Sequence, residues 1–194
     1  MLTLPEQIVQ VGRLAFERRL SDIAGGNISA RGGETIFITP TAAGQKFLWE
    51  LTPDQILSAP IASDDLMQQP QHSKESISHL MVYRAFPEVG AVIHAHPFHV
   101  MVFCAALKPI PPLTLSASLF GEIGFLPDAP LYSAEQGACL LEYFAAQRHY
   151  LQRAAAVMLP RHGIFIAARD LYTALDTLER IDSSAYVNLA VRAL

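Results

Sequence analysis

The chain has 194 residues, of which 51% are apolar and 16% charged, with a formal net charge of −4 and an isoelectric point near 5.9. That balance excludes a disordered chain, offers no basic surface for nucleic-acid phosphates, and contains no run of the roughly 20 apolar residues that a membrane span requires. One domain over residues 1–194 is the expectation for this length, and the cytoplasm is the expected compartment from the lack of a disulfide framework. Cys104 and Cys139 sit in apolar runs without a CxxC partner and offer neither a disulfide framework nor a thiolate metal site.

Residues 6–19 place Ile8, Val11 and Ala15 on one helical face, which predicts an amphipathic opening helix. Residues 25–31 and 35–39 read as two strands of a hairpin, turning through Arg31-Gly32-Gly33-Glu34, and a loop over 40–44 leaves the second. A capped turn at Thr52-Pro53-Asp54, a strand over 56–61 and a polar loop over 63–72 follow. Residues 73–86 return to helical spacing through Ile77, Leu80, Met81 and Ala85, with Glu75 in the first turn and Pro87 as the stop. Residues 91–97 read as a buried strand closed by Pro97, leading into an apolar helix over 98–107. An irregular stretch over 108–130 precedes a helix over 134–148. Two strands within 155–168 meet at Arg161-His162-Gly163, and a long helix runs from Asp170 to the C-terminus on Leu171, Leu175, Leu178, Ile181 and Ala185. Hairpin-linked strands mixed with helices, without regular βαβ alternation, indicate an α+β or layered α/β arrangement with a largely antiparallel sheet.

In a strand, residues two apart share a face, so His94 and His96 stand side by side with Ala95 turned away. Either one metal ion or hydrogen bonds must satisfy them, because unpaired polar groups are costly to bury. A catalytic zinc site takes three protein ligands and keeps a position open. His162, at a turn before Gly163, and Glu75 are the candidates to complete it. Taken singly, His162 also reads as a turn residue and Glu75 as an acid favoured at a helix N-terminus.

The order S-K-E-x3-H-x3-Y (Ser73, Lys74, Glu75, His79, Tyr83), then F-P-x-V-G-A-V-I-H-A-H-P over 86–97, then His162-Gly163 ahead of a final helix resembles the class II aldolase/adducin family. Gly26-Asn27-Ile28-Ser29-Ala30-Arg31 and Ile38-Thr39-Pro40-Thr41 resemble that family's two anion-binding segments, so the likeness spans nearly the whole chain. The resemblance implies a three-layer α/β/α fold around a largely antiparallel sheet. It implies a zinc ion, or Mn2+ or Co2+ in its place, on His94, His96, His162 and Glu75, with Glu75 also as the proton-transferring acid/base. It implies a small anionic, phosphorylated carbohydrate-like substrate held by Asn27, Thr41, Gly44, Ser73 and Lys74, and a homotetramer. Relatives that are epimerases carry aspartate at the place of Glu75, so Glu75 favours lyase chemistry. In that chemistry the metal acts as a Lewis acid while a carbon–carbon bond breaks, and Glu75 protonates the enediolate left behind.

Two positions depart from the pattern. Ser73-Lys74 stands where sugar-phosphate members have two serines, and Leu115 stands where the fuculose-phosphate type has a tyrosine that assists aldol cleavage. Decarboxylation of a 3-oxo acid phosphate or dehydration of a ketose phosphate is therefore the alternative to aldol cleavage. A non-enzymatic, adducin-like scaffold predicts lost ligand positions, and all four are filled. His79 and His99 read as residues behind the site or packing residues, His72 and His149 as solvated, and Tyr132 and Tyr186 as structural.

Overall fold

Thr3 opens the first helix earlier than its apolar spacing suggests. Its hydroxyl accepts from the Glu6 N–H while the Glu6 carboxylate accepts from the Thr3 N–H at 2.6 Å. This capping box starts α1 at Leu4–Glu17, two residues ahead of expectation. The computed structural model describes residues 2–191 and 194. Six strands form one sheet: β1 (Asn27–Gly32), β2 (Thr35–Ile38), β3 (Leu57–Pro60), β4 (Ala91–Ala95), β5 (Ala154–Leu159) and β6 (Gly163–Ala168). Their order is β3-β2-β1-β4-β6-β5, and every neighbouring pair is antiparallel.

The remaining helices are α2 (Ala43–Phe47), α3 (Asp65–Gln68), α4 (Ser76–Ala85), α5 (Phe98–Ala106), α6 (Ala134–Ala146) and α7 (Leu171–Ala190). Alternation along the strands sorts their side chains into two cores. On one face Ile28, Ile93, Ile164 and Ile166 pack against Ile8, Val100, Phe103 and Leu178 of α1, α5 and α7. On the other, Ile36, Ile38, Val92, Val157 and Phe165 pack against Leu66, Leu80, Leu140 and Phe144 of α3, α4 and α6. Each such buried side chain contributes about 1.5–3 kcal/mol. The result is the expected three-layer α/β/α fold.

Boundaries differ where local rules compete. β4 ends at Ala95 rather than 97, because Pro97 has no N–H for the ladder and the last register partners are Asn27 with His94 and Ala95 with Ile164. The chain turns into α2 inside the expected 40–44 loop, and α3 interrupts the expected 63–72 loop. Glu75 precedes α4 as its N-cap residue rather than lying in its first turn. The final helix ends at Ala190, and its expected continuation over 192–193 lies outside the described residues. Among the described residues no helix is long and apolar enough to cross a membrane.

Candidate metal centre

Asn27 on β1 and His94 on β4 are register partners on the sheet face that α4 covers. Glu75 lies over both: its Oε2 accepts from Asn27 Nδ2 at 2.6 Å and stands 3.5 Å from His94 Nε2. Four residues of helix rise about 6 Å and two of strand about 6.6 Å, so polar contacts repeat between α4 and β1. Ser29 Oγ meets His79 Nδ1 at 2.7 Å and the Tyr83 hydroxyl at 2.8 Å, and Arg31 donates to the Tyr83 carbonyl. His79 therefore helps seat α4 and with it Glu75. Its burial pushes its pKa down to about 3, so it is a neutral hydrogen-bonding ring.

His96 follows the last residue of β4, and His162 sits on the β5–β6 turn, where Arg161 has a φ of 56°. The three rings form a triangle, with centroids 5.0 Å (His94–His96), 4.8 Å (His94–His162) and 5.3 Å (His96–His162) apart. One nitrogen from each lies within 4.8 Å of the others. Two glycines make room for them. A Cβ on Gly163 would stand 2.6 Å from the Ala95 carbonyl oxygen and 2.7 Å from His96 Cδ2, and one on Gly25 would stand 2.6 Å from His96 Cε1.

Hydrogen bonds fix where the lone pairs point. His94 Nδ1 is 3.1 Å from the Ile164 carbonyl oxygen, which can only accept, so that nitrogen carries the hydrogen and Nε2 a lone pair. His96 Nδ1 faces the Asp22 carboxylate at 3.2 Å, which fixes the same tautomer there. The two Nε2 atoms then face one another at 3.2 Å. Burial, and after it the neighbouring His96 and His162, hold the His94 pKa well below its ordinary value. Burial, then His96, lowers that of His162 to about 4. Neutral imidazoles are electron-pair donors, the form a metal requires.

Burial raises the Glu75 pKa to about 7, against the opposing pull of the Asn27 hydrogen bond. Glu75 Oε1 and His162 Nδ1 are buried with no hydrogen-bond partner among the described residues, and each such atom costs about 1–3 kcal/mol. The three imidazoles converge with unspent lone pairs, and Glu75 stands outside that triangle, reaching it only at His94 Nε2; imidazole nitrogens with a carboxylate at hand are the donors that a divalent ion such as zinc accepts. The residues present therefore fit the ion.

These groups open into a cavity of about 200 Å³, which Asn27, Thr41, Ser73 and Lys74 also line. Gly44 is not among its lining residues. It lies in α2, where a Cβ would stand 2.7 Å from the Ile23 carbonyl oxygen and 2.8 Å from that of Asp22, and Ala42 and Gln45 face the cavity instead. Tyr132, read from the sequence as structural, also lines the cavity, with Lys74 Nζ 5.6 Å from its ring centroid and His162 at 6.2 Å. Its φ of 64° and its place in an irregular stretch gave no periodic signal. Asp22 was missed too, although an aspartate ahead of Gly25-Gly26 is a turn signal. Leu115 is 90% exposed, and His99 joins α5 to Asp182 of α7 at 2.7 Å.

Residues 6–189 match the family described as Class II Aldolase and Adducin N-terminal domain. The chain is 25% identical over 192 residues to an L-fuculose phosphate aldolase of Methanococcus maripaludis, covering 97% of each chain. It is 25% identical over 193 residues to a 3-oxo-tetronate 4-phosphate decarboxylase of Haemophilus influenzae, covering 95% of this chain and 86% of that one. The crystal structure of L-fuculose-1-phosphate aldolase from Thermus thermophilus matches with a TM-score of 0.81 at 26% identity, covering 98% of this chain and 94% of that one.

Proposed function

Because the chain belongs to the class II aldolase and adducin family, we propose that it is a metal-dependent lyase cleaving a carbon–carbon bond of a small, phosphorylated hydroxy-carbonyl compound, as an aldolase does. The observation that carries this is Glu75: a buried carboxylate with one oxygen free of hydrogen bonds, 3.5 Å from His94 Nε2, at the floor of a polar cavity. His94, His96, His162 and Glu75 would hold the ion, zinc first among divalent candidates. When bound, it supplies a Lewis acid for the substrate's carbonyl and neighbouring hydroxyl oxygens.

The chain's own groups do the rest. Asn27 holds Glu75 through Oε2 and leaves Oε1 free to receive and return a proton. A carboxylate matched to neutral pH is suited to that exchange, and burial, which leaves Glu75 3% exposed, supplies the match while keeping water away. Lys74, Ser73 and Thr41 along the cavity would receive the substrate's phosphate, with the ammonium as a point charge. The same reading carries a single catalytic unit assembled as a homotetramer in the cytoplasm, and light scattering would give the assembly's mass.

A second reading, decarboxylation of a 3-oxo acid phosphate, is favoured by Lys74 and by the absence of a tyrosine at Leu115, and one relative is named as such a decarboxylase. A panel of phosphorylated ketoses and 3-oxo acids, followed for aldehyde and for carbon dioxide, separates the two. Aldehyde from a ketose phosphate supports aldol cleavage; carbon dioxide without aldehyde supports the second reading. A metal-loaded protein that turns over neither class contradicts the lyase proposal.

A further inference from the structure

We propose that Asp22 is a positioning residue for the metal centre, orienting His96 and strengthening it as a donor. The inference rests on the reading of the three histidines as ligands. The Asp22 Oδ1 atom accepts from three hydrogens at once: the Ala24 N–H at 2.9 Å, the Gly25 N–H at 3.0 Å and His96 Nδ1 at 3.2 Å. The first two bonds close a tight turn, and the third ties that turn to the imidazole. The turn is itself pinned. Trp49 Nε1 donates to the Asp22 carbonyl at 2.8 Å from a fully buried indole, and α2 packs on the same backbone at Gly44.

The His96 ring has little freedom left except rotation about its own axis. Gly25 closes one edge of the ring, where a Cβ would stand 2.6 Å from Cε1, and Gly163 closes another, where a Cβ would stand 2.7 Å from Cδ2. Half a turn of the ring would place a C–H against the Asp22 carboxylate and take Nε2 away from His94. The carboxylate thus selects the flip and the tautomer that aim the lone pair at the common point. A carboxylate on the far nitrogen also makes an imidazole a better electron-pair donor, and removal of such a partner lowers metal affinity about 10–100-fold. Asp22 is half exposed, which favours the lower part of that range.

Asp22→Asn keeps an oxygen for the two backbone N–H groups and removes the charge. Glu17→Gln removes an equal charge from a residue that lines an adjoining cavity beside Asp22 and does not touch the ring. Zinc affinity, read by competition with a chelating dye on the full chain, is measured for both and for the native protein, with circular dichroism of the metal-free forms. The expected result is native binding of one zinc per chain, about tenfold or more weaker binding in Asp22→Asn, and Glu17→Gln within twofold of native. Equal binding by Asp22→Asn and native protein overturns the role of Asp22 and leaves the three-histidine reading standing. Equal weakening in both variants overturns it as well, because general charge then explains the loss. An Asp22→Asn chain that does not fold assigns the residue to the turn alone and also overturns the proposal. A native chain that binds no zinc overturns the underlying reading.

Discussion

The Nε2 atoms of His94 and His96 face each other at 3.2 Å, on rings whose Nδ1 hydrogens point at the Ile164 carbonyl and the Asp22 carboxylate. Two lone pairs at that distance repel, and a positive charge between them turns the repulsion into attraction. With Glu75 at 3.5 Å from the same His94 nitrogen, the proposed function divides the work: the three imidazoles carry most of the hold on the ion, and the carboxylate beside them adds to it and moves protons.

Glu75→Gln tests that division. The amide keeps the shape and can still meet Asn27, but it cannot take or give a proton at neutral pH. Turnover is expected to fall about 10²–10⁴-fold, while zinc content stays near that of the native protein. Full activity in this variant would sink the assignment.

The same substitution gives a pH signature in metal-free protein. A carboxyl whose pKa rises on folding from 4.5 to about 7 binds more protons folded than unfolded in that window. Its contribution to stability is therefore largest at low pH and is lost as pH rises toward 7. Urea unfolding from pH 4.5 to 7.5 should show Glu75→Gln gaining up to about 3 kcal/mol on the native protein across that window. Parallel curves would contradict a buried, unpaired Glu75.

Gly163→Ala should damage fold and site together. The added methyl would meet the Ala95 carbonyl oxygen at 2.6 Å and His96 Cδ2 at 2.7 Å, and neither is the end of a flexible side chain. A loss of about 1–3 kcal/mol in chemical denaturation is expected, together with weaker zinc binding. A variant as stable as native would mean that the turn relaxes freely.

Lys74→Ala should act on binding rather than on chemistry. A charged hydrogen bond to substrate phosphate is worth about 1.5–3 kcal/mol, so KM should rise about 10–100-fold while kcat changes less than threefold. A fall in kcat at unchanged KM would move Lys74 from anion binding into the chemical step.

The pairing of His94 with His96 is legible from strand period alone, whereas His162, which taken singly also reads as a turn residue, joins them in the sequence through the family resemblance. The meeting of Asn27 with Glu75 is not, because it depends on the antiparallel register that sets Asn27 against His94 and on the pitch of α4 over β1. Tyr132 reaches the cavity through a left-handed residue in an irregular stretch, where periodicity carries no information. α2 escaped notice because it has five residues, left-handed caps at both ends and no capping side chain. The resemblance sets Gly44 against the substrate, whereas in the structure its lack of a side chain serves the packing of α2 on the Asp22–Ile23 backbone.

His94, His96, His162 and Glu75 are proposed to share one divalent ion. Elemental analysis of the purified chain after equilibration with zinc, before and after chelation, tests it directly when repeated on His94→Ala and His162→Ala. The expected result is one ion per chain, removed by chelator, regained on adding zinc, and lost in both variants. A folded native chain that takes up no divalent metal, or variants that bind as the native protein does, would contradict it.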